Sequence, residues 1–452
     1  MMLTKVLGPA VVLFAGYGSA SLQIVSGGTW TAAGTNQHIQ AHGGAILEID
    51  SVYYWIARWV AYPFSDRTRK DGTDNIRKDL VQWTFENELL TLQDSGDLGP
   101  DRVVERPKVI YNEETSTYVL WLHIDDSSYG EAKTGVATSS SVCGTYTYQE
   151  SFQPLGYESR DIGLFKDDDG TAYLLTEDRE NGLRIDQLSS DYTQVDSEVY
   201  VWGESIESPA IYKQDGVYFM FGSQLTGWDT NDNQYSTATS LGGPWSEWAT
   251  FADEGSNTYD SQTTFVFAVG DTVMYMGDRW LPDNLMASTY IWLPFTISGT
   301  TATLKNQVNW ILSPSGNWSA GPSESNPEAE SATFSNGAEV VSCDGCSASE
   351  AVGYLGGTDG GTLEFSGITS SETTKTTIRI KHLNGDSSQR YATVSVNGES
   401  QVVAFLPSSD GQTPASSSLH AELNAGSENT IVISAHEDGW APDVDRLMVP
   451  ES

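Results

Sequence analysis

ESPAIYKQDGVYFMFGS, residues 207–223, reads as two short strands joined by an Asp215-Gly216 turn, with a polar residue at its head. Asp-Gly between two apolar, aromatic-rich runs is a strong hairpin signal. The same phrase returns at HGGAILEIDSVYYWIA (42–57), ERPKVIYNEETSTYVLWLH (105–123), DIGLFKDDDGTAYLLTE (161–177) and QTTFVFAVGDTVMYMGDRW (262–280). The leading residues His42, Glu105, Asp161, Glu207 and Gln262 stand 63, 56, 46 and 55 positions apart. A unit recurring about every 50 residues marks a β-propeller, one unit per blade. Equivalent positions of a propeller converge on its axis, so these five leaders are expected to ring one site.

Long helical periodicity is absent, and the fold class is all-β. Residues 23–311 are expected to form a five-bladed β-propeller. The Ser-, Gly-, Pro- and Asn-rich stretch SPSGNWSAGPSESNPE (313–328) predicts a linker over 312–326. Beyond it, GGTLEFSGI, KTTIRIKHLNG, RYATVSVNGES and ENTIVISAHEDG predict a β-sandwich of jelly-roll type over 327–452.

The chain has 452 residues, with 61 Asp+Glu against 23 Lys+Arg and a net charge of −38. Such a surface repels nucleic acid and anionic membranes, so neither is an expected partner. Lys5, the apolar run VLGPAVVLFAG (6–16) and Gly18-Ser19-Ala20 read as a secretory signal over residues 1–20, too short to span a bilayer. The protein is thus expected to be extracellular and a monomer, with Asn317-Trp318-Ser319 as a glycosylation sequon. Cys343 and Cys346, in Cys-Asp-Gly-Cys, predict a small disulfide, and Cys143 is the odd cysteine of three.

Three leaders are carboxylates, Glu105, Asp161 and Glu207. Glycoside hydrolysis commonly needs one group to protonate the leaving oxygen and another to activate water, often with a third carboxylate tuning the acid. Glu207 heads Ser208-Pro209 and an apolar strand, where desolvation would raise its pKa, so it is the candidate acid. Asp161 is the candidate tuner.

Glu105-Arg106-Pro107-Lys108, Ser159-Arg160-Asp161, Glu207-Ser208-Pro209 and Tyr275-Met276-Gly277-Asp278-Arg279-Trp280 resemble glycoside hydrolase family 43, and more narrowly its fungal exo-β-1,3-galactanases. The resemblance implies a five-bladed propeller that inverts at the anomeric carbon. It implies release of galactose from the non-reducing end of the β-1,3-galactan of arabinogalactan proteins, bypassing β-1,6 side chains. It makes Glu207 the general acid and Asp161 its modulator. The usual family base, an Asp leading the first blade, is replaced here by His42. The resemblance then gives Gln262 the task of holding the water, with Glu105 as sugar contact and alternative base. It also implies sugar contacts at Tyr129, Asn181, Thr226, Trp228, Asp278 and Arg279. Residues 56–78 depart from the family pattern, which resumes at Asp79. A Glu sugar contact and a cysteine partner for Cys143 are both missing there, and six Lys/Arg fall between Arg58 and Lys78.

Glu328-Ala329-Glu330, Val352-Gly353-Tyr354-Leu355-Gly356, Val396-Asn397-Gly398 and Asp443-Val444-Asp445-Arg446-Leu447 resemble family 35 carbohydrate-binding modules. This implies a structural Ca²⁺ on Glu328, Glu330 and Asp445, whose hard oxygens suit that ion. It also implies a sugar site at Tyr354, Asn384, Arg390, Trp440 and Asp443. No cofactor is expected for catalysis. Two alternatives stay open: an arabinofuranosidase or xylosidase of the same family, and a catalytically inert sugar-binding protein.

Overall fold

The computed structural model describes residues 22–58, 70–71, 75–77 and 80–451. The signal expected over 1–20 and much of the divergent stretch 56–78 lie outside the described residues. The expected hairpins form, each as the start of an antiparallel sheet. The first sheet holds His42–Ile49, Val52–Arg58 and Asn75–Arg77. The second runs Arg102–Asn112, Thr117–Asp126, Lys133–Ser139 and Thr147–Phe152. The third runs Ile162–Lys166, Ala172–Thr176, Arg184–Leu188 and Val195–Val201. The fourth holds Ile206–Gln214, Val217–Gln224, Gln234–Ala238 and Ala249–Thr250, and the fifth Gln262–Val269, Thr272–Arg279, Thr289–Ser298 and Thr301–Leu304.

Apolar clusters bond each sheet to the next. Ile56 meets Val104 and Leu120 between the first and second sheets. Trp121 meets Ile162 and Leu174 between the second and third, and Ile185 meets Ile206 and Met220 between the third and fourth. Phe219 and Phe221 meet Val266 and Tyr275 between the fourth and fifth. Met274 and Trp292 then meet Ile46 and Trp55, back on the first. The leading strands touch in the same circuit. A closed ring of sheets packed face to face is the arrangement of a β-propeller. Trp55, Trp83, Trp121, Trp292 and Trp310 are fully buried. At about 25 cal/mol per Å² over roughly 200 Å² per ring, each contributes about 5 kcal/mol of transfer free energy. Cys143 sits half-buried against the cluster between the first two sheets.

The C-terminal domain is a sandwich. One sheet orders Glu339–Ser342, Glu350–Gly353, Asp443–Pro450, Thr374–Leu383 and Ala415–Leu423. The facing sheet orders Thr333–Ser335, Thr362–Ser370, Gly426–Ala435, Arg390–Val396 and Glu399–Phe405. Between them lies one core that includes Phe365, Ile378, Ile380, Val394, Ile431 and Leu447. The expected disulfide joins Cys343 to Cys346.

The stretch expected to be a linker is built into both domains. Trp318–Ala320 pairs with Asn309–Leu312, which pairs with Gln23–Val25. Glu324–Ser325 pairs with the last strand, and Glu324 is clamped by Arg379 through Nε at 2.9 Å. Its Ser, Gly and Pro content signals irregular backbone, but the backbone amides still find partners here. The N-terminal segment adds a second attachment. Thr29 N–H donates to Ser416 O at 2.7 Å and Ser418 N–H to Thr29 O at 3.1 Å, while Thr31 Oγ1 accepts from Ala404 N–H at 3.0 Å. The module is docked, not merely tethered. Among the described residues, no helix is long and apolar enough to cross a membrane.

Candidate active site

Each leader lies at or near the start of its sheet's first strand, and a bulge turns most of them. Pairing register shifts between His42 and Ala45, Glu105 and Lys108, and Glu207 and Ala210. The residue just after each of these leaders has a left-handed backbone: Gly43 (φ 65°), Arg106 (φ 50°) and Ser208 (φ 58°). Bulges of this kind re-aim side chains next to active sites. Glycine adopts that conformation freely, but Arg106 and Ser208 each hold it at a cost of about 1–2 kcal/mol. Their side-chain bonds explain why they stay.

Arg106 is buried at the centre. Its Nη2 donates to Ser208 Oγ and to Gln262 Oε1 and lies 2.8 Å from Asp161 Oδ2. Nη1 donates to Thr263 O at 3.3 Å. Asp161 Oδ2 also accepts from the Ser208 N–H at 3.1 Å and the Ser208 hydroxyl at 2.8 Å. Asp161 is thus held in place by three donors, which suits a modulator better than a nucleophile.

Glu207 is 7% exposed. Burial, then the charges of Asp161 and Glu177, push its carboxyl up to about 8, against the pull of Arg106 and Arg179. One oxygen from each of Asp161, Glu177 and Glu207 lies within 4.8 Å of the others. Like charges this close cannot all ionise cheaply, so the group holds a proton among them. Glu177, 1% exposed, is itself raised by burial and by Asp161, and is paired with Arg179 Nε at 2.7 Å. Sequence reading quoted Glu177 as the end of a hairpin and gave it no role. Its available signal was position, since it ends the second strand of a repeat whose leader is Asp161.

Gln262 has its orientation set from both ends. Its Oε1 accepts from Arg106 and from Trp280 Nε1 at 2.9 Å. Its Nε2 donates to Glu207 Oε1 at 2.9 Å and to Ser223 Oγ at 3.2 Å. Glu207 Oε1 must therefore accept, and the acid's proton belongs on Oε2.

Glu105 stands beyond Asp161. One oxygen of each lies within 4.8 Å of the other and of a His123 nitrogen. Tyr129 OH donates to Glu105 Oε1 at 3.1 Å. Burial works against a charge on His123, but its bonds to Asp125 and Glu105 raise it to about 9. A cationic imidazole beside Glu105 favours the ionised carboxylate.

The expected sugar contacts divide. Tyr129 and Trp228 are exposed, at 36% and 46%, and Trp228 stands edge-on to Trp280 with centroids 5.5 Å apart. Trp228, Gln262 and Trp280 line one small cavity. Thr226 and Asn181 are exposed but serve their own loops. Thr226 Oγ1 donates to Asp229 O, and Asn181 Nδ2 donates to Asp178 at 2.8 Å. Asp278 lines the same cavity as Trp228; it is 2% exposed and bonds His42 Nδ1 at 2.9 Å, Gly43 N–H at 2.9 Å and Thr264, so it also braces the wall. Arg279 is a correction: it reaches Tyr259 O at 2.8 Å and is not among the residues that line that cavity.

In the sandwich, Ser347 Oγ bridges Glu328 Oε2 and Asp445 Oδ1, at 2.5 and 2.6 Å. Glu330 Oε2 is buried without a hydrogen-bond partner. Glu328 and Asp445 thus converge on one hydroxyl, while among the described residues Glu330 does not join them in a three-carboxylate group within 4.8 Å. Asn384 is a correction. It is fully buried, and its Nδ2 serves Ser388 O and Phe405 O at 2.9 and 3.0 Å. Arg390 is engaged by Asp386 at 2.8 Å and by Ala441 O at 3.0 Å. Tyr354 and Trp440 are exposed, edge to face, and Asp443 is half-buried.

The model of glycosyl hydrolases family 43 matches residues 48–264. An exo-β-1,3-galactanase from Phanerochaete chrysosporium, solved with galactose, is 37% identical. The match covers 94% of this chain and 99% of that one, with a TM-score of 0.67. The chain belongs to glycosyl hydrolases family 43. A Glu→Ala variant of the same fungal enzyme, solved with β-1,3-galactotriose, is also 37% identical over 94% and 99% of the two chains, with a TM-score of 0.66. An exo-β-1,3-galactanase from Clostridium thermocellum shares the fold at 23% identity, over 94% and 100%, with a TM-score of 0.62. A model described as the CBM13 domain of α-galactosidase matches residues 362–449 of this family 43 chain, so its second domain resembles a carbohydrate-binding module. No curated protein matches the chain.

Proposed function

We propose that this family 43 glycoside hydrolase is a secreted, inverting exo-β-1,3-galactanase whose five sheets are the five blades of a propeller. It would release galactose from the non-reducing end of β-1,3-galactan in arabinogalactan proteins and pass β-1,6 side chains. The observation that carries the chemistry is Glu207, raised to about 8 by burial and neighbouring carboxylates. A carboxyl protonated near neutral pH can donate to the glycosidic oxygen. The galactan assignment rests on the fungal enzyme's likeness across both domains.

In this reading Glu207 Oε2 carries the proton, and Asp161 and Glu177 supply the charge that keeps it there. Gln262 orients the acid. Its oxygen already accepts two hydrogen bonds, so it has no lone pair left to take a proton from water. Glu105, ionised beside His123, is the better proton acceptor. Trp228 and Trp280 offer apolar ring surface to a galactose face. The module, of the family 35 type, would hold galactan near the site. Ca²⁺ on Glu328, Glu330 and Asp445 would neutralise their charge and tie the first residues of the sandwich to its last strand.

The test is galactose release from β-1,3-galactan, followed by NMR of the first anomer formed. α-Galactose from the wild-type chain, and almost none from Glu207→Gln, is the expected result. No release by the wild-type chain would sink the reading.

A further inference from the structure

A second arginine stands beside the acid, and the reaction described above leaves it idle. Arg179 has 46% of its side chain open to solvent, and its Nε donates to Glu177 Oε1 at 2.7 Å. That bond uses one of the five N–H donors of a guanidinium. Among the described residues, neither Nη group has a hydrogen-bond partner. Arg106 differs in this respect. It is buried, and both of its Nη groups are taken by the protein.

The loop that carries Arg179 is fixed from below. Asp178 is fully buried. Its Oδ1 accepts from the Glu180 and Asn181 N–H groups at 2.9 and 3.1 Å. Its Oδ2 accepts from Asn181 Nδ2 at 2.8 Å and from Arg184 Nη1 at 2.7 Å. Gly182 N–H donates to Asp178 O at 2.8 Å. Gly182 has φ +108°, and a Cβ there would collide with Trp202 O, so only glycine closes this turn. The ring of Tyr157 lies 4.7 Å from the Arg184 guanidinium. A guanidinium set in advance by Glu177 and by a rigid loop loses little entropy on meeting a ligand.

Its place decides which part of a substrate it meets. Two groups of side chains share Asp161: Glu105 and His123 join it on one side, Glu177 and Glu207 on the other. Inversion needs base and acid on opposite faces of the anomeric carbon, with the leaving sugar on the acid's side. Arg179 is bonded into the acid's group through Glu177, and its charge acts on Glu207. In a β-1,3 linkage the leaving oxygen is O3 of the next galactose, flanked by the hydroxyls on C2 and C4.

We propose that Arg179 is a substrate-binding residue for the leaving-side sugar, donating through its Nη groups to a hydroxyl that flanks the oxygen Glu207 protonates. The contact holds that oxygen against the acid, so it serves the transition state as well as binding. The role rests on the reaction proposed for Glu207. That the leaving sugar is galactose rests further on the galactan reading.

The test is steady-state kinetics on the full chain, with β-1,3-galactobiose and two analogues lacking the 2- or the 4-hydroxyl of the reducing sugar. On galactobiose, Arg179→Met should lower kcat/KM by about 10–100-fold, the usual cost of a charged hydrogen bond. The loss is read on the plateau below the alkaline limb. Arg179→Lys, which keeps the charge and loses the fork, should fall between. Inhibition by free galactose should stay unchanged. On one of the two analogues the wild-type chain should already be impaired, and Arg179→Met should add little. Unchanged melting would show that the variants fold. Equal losses on all three disaccharides, or an alkaline limb moved upward with the plateau intact, would overturn the proposal, because Arg179 would then act only through the acid's charge. That result would leave the galactanase reading standing. Xylose released from xylobiose in place of galactose from galactobiose, with the Arg179→Met loss intact, would keep the residue's role and reject galactan. A wild-type chain that cleaves neither disaccharide would sink both.

Discussion

His42 and Glu207 open equivalent strands of two sheets, each at a bulge with a left-handed residue behind it, and the ring uses them in opposite ways. His42 is buried, stacked on Tyr290 at 4.5 Å and near Trp280 at 5.0 Å, and bonded to Asp278. Glu207 is turned toward other carboxylates, its pKa is raised to about 8 by burial and those charges, and it is the acid in the proposed reaction. One repeat position thus supplies a structural brace on the first sheet and chemistry on the fourth. The difference lies in what each leader meets from neighbouring sheets.

Glu207→Gln tests the chemical side most strongly. It should lower galactose release by about 10³-fold, within the usual range for a lost general acid, while melting changes little. A milder drop, with melting lost instead, would erase the contrast with His42. Gln262→Ala should lower kcat by about 10–100-fold, because the acid loses its orienting donor, with KM less affected.

His42→Ala should show in stability. It leaves Asp278 as a buried carboxylate short of one donor, costing about 2–4 kcal/mol in denaturant unfolding. kcat should fall far less than in Glu207→Gln.

The smallest effects are shifts in pH. Glu207, at about 8 against an ordinary 4.5, keeps its proton up to about pH 8, and kcat/KM should fall above that. Asp161→Asn removes a neighbouring negative charge and should move this alkaline limb down by about one pH unit. Glu177→Gln should move it the same way by less. An upward shift in either would contradict the cluster. Stability follows the same proton. Between pH 4.5 and 8 the folded chain binds it and the unfolded chain does not, so this group's contribution falls as pH rises through that window.

Much of this arrangement was legible in the chain. Hairpin turns such as Asp215-Gly216 mark the sheets, and the leaders Glu105, Asp161, Glu207 and Gln262 do converge. Their close contacts were not legible. Gly43 advertises a left-handed backbone; Arg106 and Ser208, in the same conformation, do not, because their strain is met by bonds to residues 47 or more positions away. Glu177 was missed because alternation along a strand says which face a residue takes, not which charges meet it. Asp278 was expected at the sugar site from the family resemblance and does line the small cavity with Trp280, but its bonds to His42 and Gly43 come from another sheet and were not legible. The linker was misread because composition reports a lack of regular pattern, while pairing depends on an available edge, here offered by Asn309–Leu312 and by the last strand.

The sequence by itself determined the repeat, the all-β class, the two domains and the polar residue heading each sheet, since all of these follow from local periodicity and turn chemistry. Only the tertiary structure decided which head residues face one another, that the Glu207 carboxyl is raised, that Arg106 ties Asp161 to Gln262, and that the module is docked. Those outcomes depend on bulges, burial and charges brought together from distant sheets, and no local pattern encodes the distance between them.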